Sequence, residues 1–372
     1  MNVRLRTLTP PSPGGRGETT AGLPRTGLAL WPALWLSVVA ALPVTAADSV
    51  VTTNEKTLQG TVFVLAPEPV ILQQDGTAAW LELPRREIRG VKLDFGPNGR
   101  WARVVTQDGA TAFKAFTQQD GKVAGKDAEG KESSFTAGEL RELAFYPVAR
   151  AARQLPVPFV KQKPDYCGEA CLEMVTAFLG EPVTQDRFNE LAHLGGRRGV
   201  YGSELVAVVD RTLKLRTTGR GFRACKTALD AVVDRVQLLR ALDAHRPVLL
   251  GVWSDCANKH NEDQWAFDHF VVLVGYDLHK GVFLVHDPGR GAAQEWSFTD
   301  FTKHRVNKFG GLFQLEFPPV RSWTAGGKKV RAELLSVGKD EVTLRPEAGE
   351  ALKVALKELG EEDRRFVAEL QP

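Results

Sequence analysis

A predicted helix with a cysteine in its first turn constrains this chain of 372 residues more than any other feature. From Cys167 to Leu179 the apolar side chains fall at helical spacing, which is typical of a helix with a buried face. They are Ala170, Cys171, Met174, Val175, Phe178 and Leu179. Pro164 stops any helix upstream, and Asp165 is a good N-cap candidate. The pattern therefore predicts that Cys167 lies in the first turn of a buried helix.

Two interpretations of Cys167 are open on this segment alone. The partial positive charge of a helix N-terminus lowers the pKa of a thiol and favours the nucleophilic thiolate. Gln162, five residues earlier on the incoming loop, could donate its side-chain amide to an oxyanion beside the Cys167 backbone N–H. The alternative is an ordinary core cysteine, because buried cysteines are common.

A second segment predicts a base and its partner. His269 begins an apolar run that ends at Asp277, and after a short turn the run from Val282 returns to Asp287. A hairpin with so short a loop brings His269 and Asp287 to the same end of two paired strands. A carboxylate there can orient an imidazole and fix its tautomer, as in nucleophile–base–orienter triads.

The side chains of Asp268 and His286 should point to the opposite strand faces, because successive residues of a strand alternate. We interpret both as neighbours of the site rather than participants.

Residues 155–319 resemble the C39 peptidase-like domain of the papain-like superfamily. The matching motifs are Gln162-x4-Cys167-Gly168, Cys171-Leu172, the run from Arg246 to Val252, the run from Asp268 to Asp277, and His286-Asp287-Pro288. The resemblance implies an α+β fold, a papain-like cysteine peptidase core with an N-terminal helix bearing Cys and an antiparallel sheet bearing His and Asp. It also implies roles for four residues: Gln162 in the oxyanion hole, Cys167 as nucleophile, His269 as base and Asp287 as orienter.

The N-terminus predicts export. Several arginines precede an apolar run from Leu28 to Val44, and the small residues 45–47 follow it. This order is typical of a signal peptide, here 1–47, that is removed outside the cytoplasm. A retained membrane anchor is the alternative, although Pro32 and Pro43 interrupt the run. The predicted location is therefore periplasmic or extracellular, with membrane contact only through an uncleaved signal segment.

Residues 48–147 alternate short β-rich runs with turns, and Asp75-Gly76 and Asp108-Gly109 are strong hairpin signals. We predict two small barrel-like units, related as a diverged repeat of roughly 45 residues. Residues 148–154 are interpreted as a linker.

The tail, residues 321–372, resembles the SLA1 homology domain 1. The resemblance rests on Arg321 to Thr324, Ala332 to Leu335, Val342 to Leu344, Val354 to Leu356, and Leu359 to Val367. It implies a small β module that docks to a partner, either another protein or a cell-wall polymer. Because all four candidate site residues lie before residue 320, we predict that the tail is dispensable for the chemistry.

Charge and cysteine content exclude other classes of partner. The net charge is +3 with Lys and Arg spread among Asp and Glu, whereas a nucleic-acid-binding protein would show a clustered basic face. The four cysteines contain only one close pair, Cys167 and Cys171, with the wrong gap for zinc, so we predict no metal and no cofactor. Cys225 and Cys256 form a bridge or remain unpaired; both alternatives are open.

The sequence thus predicts an exported cysteine peptidase that hydrolyses peptide bonds of a peptide or protein substrate. The alternative is a non-catalytic scaffold that uses a papain-like cleft and its flanking β modules to bind peptides or proteins. The complete set of Gln162, Cys167, His269 and Asp287 favours the enzyme, since a scaffold would be free to lose one of them.

Overall fold

The computed structural model describes most of the chain after the predicted signal peptide. The described residues are 48–66, 70–77, 79–94, 100–119, 122–136, 138–196, 198–212, 228–255, 267–305, 313–317 and 319–370. Cys225, Cys256 and residues 1–47 lie outside these ranges. The chain divides into two compact units, Met1–Gly99 and Arg100–Pro372, so the boundary falls inside the region 48–147 predicted as a pair of repeats.

The first unit contains an antiparallel ladder in the order β4-β3-β2-β1-β5. Its strands are β1 (Asp48–Thr52), β2 (Thr57–Ala66), β3 (Val70–Gln74), β4 (Trp80–Leu83) and β5 (Ile88–Lys92). The buried rings of Phe63 and Trp80 pack against each other in a tilted arrangement, with centroids 4.7 Å apart. The predicted Asp75-Gly76 turn joins β3 to β4, where Gly76 has a φ of +69°. Closure into a barrel stays a prediction.

The second unit begins with six more strands. They are β6 (Trp101–Val105), β7 (Ala110–Phe113), β8 (Ala115–Gln119), β9 (Lys122–Lys126), β10 (Glu132–Thr136) and β11 (Glu142–Tyr146). β6 pairs with both β7 and β11, while β8, β9 and β10 form a separate three-stranded sheet. The predicted Asp108-Gly109 turn lies between β6 and β7. Ala112 donates its backbone N–H to His279 Nδ1 at 3.3 Å, which ties β7 to the hairpin turn of the following domain.

That domain combines helices with an antiparallel sheet in the order β16-β15-β14-β13-β17. Its elements are β12 (Ala152–Gln154), α1 (Cys167–Phe178), α2 (Gln185–Leu191), α3 (Gly202–Ala207), α4 (Ala228–Asp243), β13 (Val248–Val252), β14 (His269–Asp277), β15 (Val282–Asp287), β16 (Gly291–Ser297), α5 (Phe298–Arg305) and β17 (Gln314–Glu316). β13 and β14 are buried along almost their whole length, so the core lies between this sheet and α1. The mixture is compatible with the predicted α+β fold.

The segment predicted as a linker differs from that expectation, because Ala152–Gln154 form a strand. β12 pairs antiparallel with the end of β14, Gln154 opposite Gly275. A Cβ on Gly275 would lie 2.4 Å from the Arg153 carbonyl oxygen, so only glycine admits the incoming chain there.

Residues 320–370, which we call the C-terminal module, form a four-stranded antiparallel sheet and a helix. The elements are β18 (Val320–Ala325), β19 (Lys328–Val337), β20 (Glu341–Pro346), β21 (Leu352–Ala355) and α6 (Glu361–Leu370), with the strands in sequence order. The rings of Trp323 and Phe366 meet edge to face at 5.6 Å and pack α6 on the sheet. The SLA1 homology domain 1 resemblance stays a prediction. Within the described ranges no helix is both long and apolar enough to cross a bilayer.

Candidate active site

Cys167 is the first residue of α1, as the sequence predicts. The N-cap residue is Tyr166, and its side chain makes no capping hydrogen bond to the helix. The prediction of Asp165 as the N-cap is wrong. Tyr166 donates its N–H to the Lys163 carbonyl at 3.0 Å, and Asp165 has a φ of +63° in the turn thus closed. Pro164 at the second position and a positive φ at the third are typical of a type II turn, which uses Asp165 before the helix starts.

The start of α1 is held close to the sheet. A Cβ on Gly168 would lie 2.6 Å from Val200 Cγ2 and 3.2 Å from the Phe270 ring, so glycine is required for this approach. One turn further on, Cys171 is fully buried. Burial, with the nearby Cys167 thiol adding to it, raises the pKa of the Cys171 thiol well above its ordinary value. Cys171 is therefore an unreactive packing residue.

The imidazole of His269 lies between a carboxylate and the thiol. His269 Nε2 is 2.9 Å from Asp287 Oδ1, and the ring also interacts with the Cys167 side chain. Because Asp287 occupies Nε2, Nδ1 is the nitrogen left for the thiol. Burial alone would lower the pKa of His269, but the interactions with Asp287 and Cys167 outweigh burial and raise this pKa to about 9. The geometry thus favours an imidazolium beside Cys167 at neutral pH.

Asp287 is 1% exposed, yet it is well satisfied as an anion. Its Oδ1 also accepts backbone N–H groups from Gly289 at 2.9 Å and Arg290 at 3.2 Å. Burial would raise the pKa of Asp287, but His269, the Gly289 N–H and the Arg290 guanidinium together lower it. The carboxylate is therefore ionised where it orients the ring.

Gln162 lies against the turn that follows Asp287. Its backbone N–H donates to the Pro288 carbonyl at 3.0 Å, and its Oε1 is buried without a hydrogen-bond partner among the described residues. A Cβ on Gly289 would lie 3.4 Å from both Gln162 Oε1 and Asp287 Oδ1. The structure therefore brings Cys167, His269 and Asp287 together and places Gln162 next to Asp287.

Asp268 and His286 bond to partners outside the group of Cys167, His269 and Asp287. The Asp268 carboxylate accepts the N–H of Ser254 at 2.7 Å and its hydroxyl at 2.9 Å. His286 donates from Nε2 to the Val157 carbonyl at 2.9 Å and accepts the Ala293 N–H at Nδ1. Burial lowers the pKa of His286, and this neutral ring fastens the loop before Gln162 to β15. That both are neighbours of the site rather than participants stays a prediction.

Sequence reasoning missed a buried carboxylate two residues after Cys167. Glu169 is fully buried, and its Oε1 accepts from Asn189 Nδ2 at 2.8 Å and from the Val200 N–H at 3.1 Å. Asn189 in turn accepts the Gly196 N–H at 2.7 Å. Burial raises the pKa of Glu169. These bonds fasten the loop after α2 to the first turn of α1. Nothing in the sequence distinguished Glu169 from Glu173, the other acidic residue of α1.

Among the residues that the structure describes, no group of three or more His, Cys, Asp or Glu side chains could hold a metal ion.

Comparison with known families points to the same region. A model of the Peptidase_C39 like family matches residues 154–311, and this similarity supports a C39-like cysteine peptidase domain there. The match contains Gln162, Cys167, His269 and Asp287, and it ends before the C-terminal module. No curated protein matches the chain significantly.

Proposed function

We propose that residues 155–319 hydrolyse peptide bonds with Cys167 as nucleophile, His269 as base and Asp287 as orienter. One observation carries the proposal: His269 is hydrogen-bonded to the buried Asp287 carboxylate and interacts with Cys167, the first residue of α1. That arrangement supplies a thiolate–imidazolium pair without any further group.

The reaction follows from the positions of these groups. The Cys167 thiolate attacks the carbonyl carbon of the scissile bond, and the oxyanion is stabilised by the Cys167 N–H and the Gln162 amide. His269 gives its proton to the leaving amine as the C–N bond breaks, which leaves a thioester on Cys167. The neutral His269 then takes a proton from water, whose oxygen attacks the thioester. The C–S bond breaks, the carboxylic acid product leaves, and Cys167 is again a thiolate beside the protonated His269.

We also propose that the chain acts after export. The support is the apolar run from Leu28 to Val44 with its flanking residues. The substrate is accordingly a peptide or protein outside the cytoplasm. The resemblance of residues 321–372 to SLA1 homology domain 1 supports a docking role for the tail, toward a protein or a wall polymer.

The decisive experiment incubates the purified chain with a peptide library and identifies cleaved bonds by mass spectrometry. We expect new termini with the native protein and none with Cys167→Ala, while Cys171→Ala serves as the matched control that keeps cleavage. Peptides that are retained but left intact by the native protein would favour the scaffold instead.

Thiol labelling tests the site independently of the substrate. Iodoacetamide at pH 6 should modify Cys167 well before Cys171, and His269→Ala should abolish that preference because the thiolate loses its cation. Equal, slow labelling of both cysteines would contradict the thiolate–imidazolium pair.

A further inference from the structure

The far end of the nucleophile helix is held by the C-terminal module. Ser322 donates its N–H to the Leu179 carbonyl at 2.8 Å, and its hydroxyl donates to Glu181 at 2.7 Å. Gly180 has a φ of +77°, and a Cβ on it would lie 2.4 Å from the Ser322 carbonyl oxygen. The chain that leaves α1 is therefore pressed directly against β18, with glycine required at the point of contact.

Arg321 is the centre of this junction. Its guanidinium is 7% exposed and donates from Nη1 to the carbonyls of Phe178 and, at 3.4 Å, of Ala177. Its Nε and Nη2 donate to Asp363 Oδ1 at 3.2 and 3.0 Å. Asp363 Oδ2 accepts the Thr324 N–H at 2.7 Å, which fixes the carboxylate in turn.

Aromatic rings complete the enclosure of the guanidinium. It lies 4.3 Å from the centroid of Phe366 on α6, and that ring meets Phe178 of α1 at 5.2 Å. The last carbonyls of a helix carry partial negative charge, so a buried cation that donates to them stabilises the helix end. Arg321 thus joins α1, β18 and α6 through one side chain.

We propose that Arg321 is a positioning residue for Cys167, acting through α1. The helix has 12 residues and is therefore about 18 Å long. Its nucleophile must meet a base that stands on a different element, β14. Because α1 is buried along most of its length, a displacement at the Arg321 end is transmitted to the Cys167 end rather than absorbed by solvent-exposed residues.

This role differs from the expectation that the tail is dispensable for the chemistry. The inference rests on the proposed function, since it concerns the thiolate of Cys167. Direct charge is a poor explanation for such coupling, because about 18 Å exceeds the screening length of roughly 8–10 Å at moderate ionic strength. The titratable groups that interact with Cys167 are His269 and Cys171, whereas Arg321 faces Asp363 and Glu362.

The test measures the rate of Cys167 alkylation by iodoacetamide between pH 5 and pH 9 in the full chain. In Arg321→Gln we expect the rate at pH 6 to fall on the order of tenfold and the midpoint of the pH profile to rise, as for a thiolate farther from its imidazolium. Arg321→Lys should restore part of the rate, because a cation can still reach the helix carbonyls. Arg345→Gln is the matched control: its ion pair with Glu333 lies on the same module but is solvent-exposed, so its profile should equal the native one.

Each outcome bears on the inference. A folded Arg321→Gln variant with the native pH profile would overturn it and leave the module as a stabilising element only. If Arg321→Gln does not fold, Phe366→Leu replaces it, with a smaller shift in the same direction expected and an unchanged profile overturning the inference. A native protein without rapid labelling of Cys167 at pH 6 would overturn the proposed function and this inference together. Rapid native labelling that Arg321→Gln leaves unchanged would overturn the inference alone.

Discussion

Replacement of Asp287 by asparagine separates the charge of the orienting residue from its shape. The amide oxygen of Asn can still accept from His269 Nε2 and from the backbone N–H groups of Gly289 and Arg290, which now bond to Asp287 Oδ1. Only the negative charge is removed. We place the substitution in a Cys167→Ser background, so that the thiolate no longer contributes to the pKa of His269.

The magnitude follows from the pKa of His269. In the native protein burial lowers this pKa, and the interactions with Asp287 and Cys167 more than offset burial to give about 9, against 6.5 ordinarily. A tenfold change in proton affinity corresponds to about 1.4 kcal/mol, and Asp287 is one of two partners, so we assign it about 2 kcal/mol. A raised histidine pKa stabilises the fold fully below pH 6.5, and this stabilisation is lost as the pH rises through the folded pKa.

The assay is chemical denaturation at a series of pH values from 6 to 10, paired with an NMR titration of the His269 ring assigned through His269→Gln. The asparagine variant should be less stable by about 2 kcal/mol at pH 6, and the gap should close toward pH 10. Asp300→Asn, an exposed carboxylate on α5, is the control and should change little at any pH. A gap that does not depend on pH would refute the reasoning, because it would assign the effect of Asp287 to packing.

Three further predictions concern the oxyanion donor Gln162, the close packing of α1 at Gly168, and the loss of stability at low pH. Gln162→Ala should keep the fold and lower the turnover number by on the order of 10²–10³, the usual loss for one oxyanion donor, and equal turnover would remove it from the mechanism. Gly168→Ala should lower the free energy of unfolding by about 1–3 kcal/mol because its methyl group meets Val200, whereas Gly138→Ala, with open space around it, should change it by less than about 0.5 kcal/mol. Burial, aided by a nearby arginine, lowers the pKa of His245 to about 4. The free energy of unfolding should therefore be lower by about 1–2 kcal/mol at pH 4 than above pH 6.5. The same denaturation series on His245→Gln should show a shallower acid loss, and an unchanged slope would contradict this assignment.

The parts of the site that depend on local pattern could be predicted from the sequence. Helical spacing alone put Cys167 in the first turn of α1, and a short turn between two apolar runs put His269 and Asp287 at one end of a hairpin. Both inferences use residues within about twenty positions of one another. Asp165 shows the limit even at short range, because the adjacent Pro164 favours a turn over a cap.

The missed features depend on partners far apart in the chain. Ala152–Gln154 form a strand only because Gly275 leaves room beside them, and three residues are too few to show a strand pattern. Glu169 binds a backbone N–H 31 residues away, and Arg321 binds a carbonyl 143 residues away. A polar residue looks solvent-exposed in sequence until the fold supplies such partners.

The junction at Arg321 shows why a sequence pattern can reveal the candidate site residues and still miss a residue that holds them in place. A buried ion pair such as Arg321–Asp363 is weak grounds for stability, because apolar side chains of similar volume often stabilise a core as well. The ion pair differs from an apolar contact because its hydrogen bonds are directional. The guanidinium donates both to a carboxylate on α6 and to carbonyls at the end of α1, which fixes one orientation of the helix. The apolar contact of Phe178 with Phe366 would tolerate sliding that these bonds do not. A family model matches residues 154–311, which include Cys167, His269 and Asp287. We infer that the geometry of these three residues also depends on Arg321, ten residues beyond the end of that match.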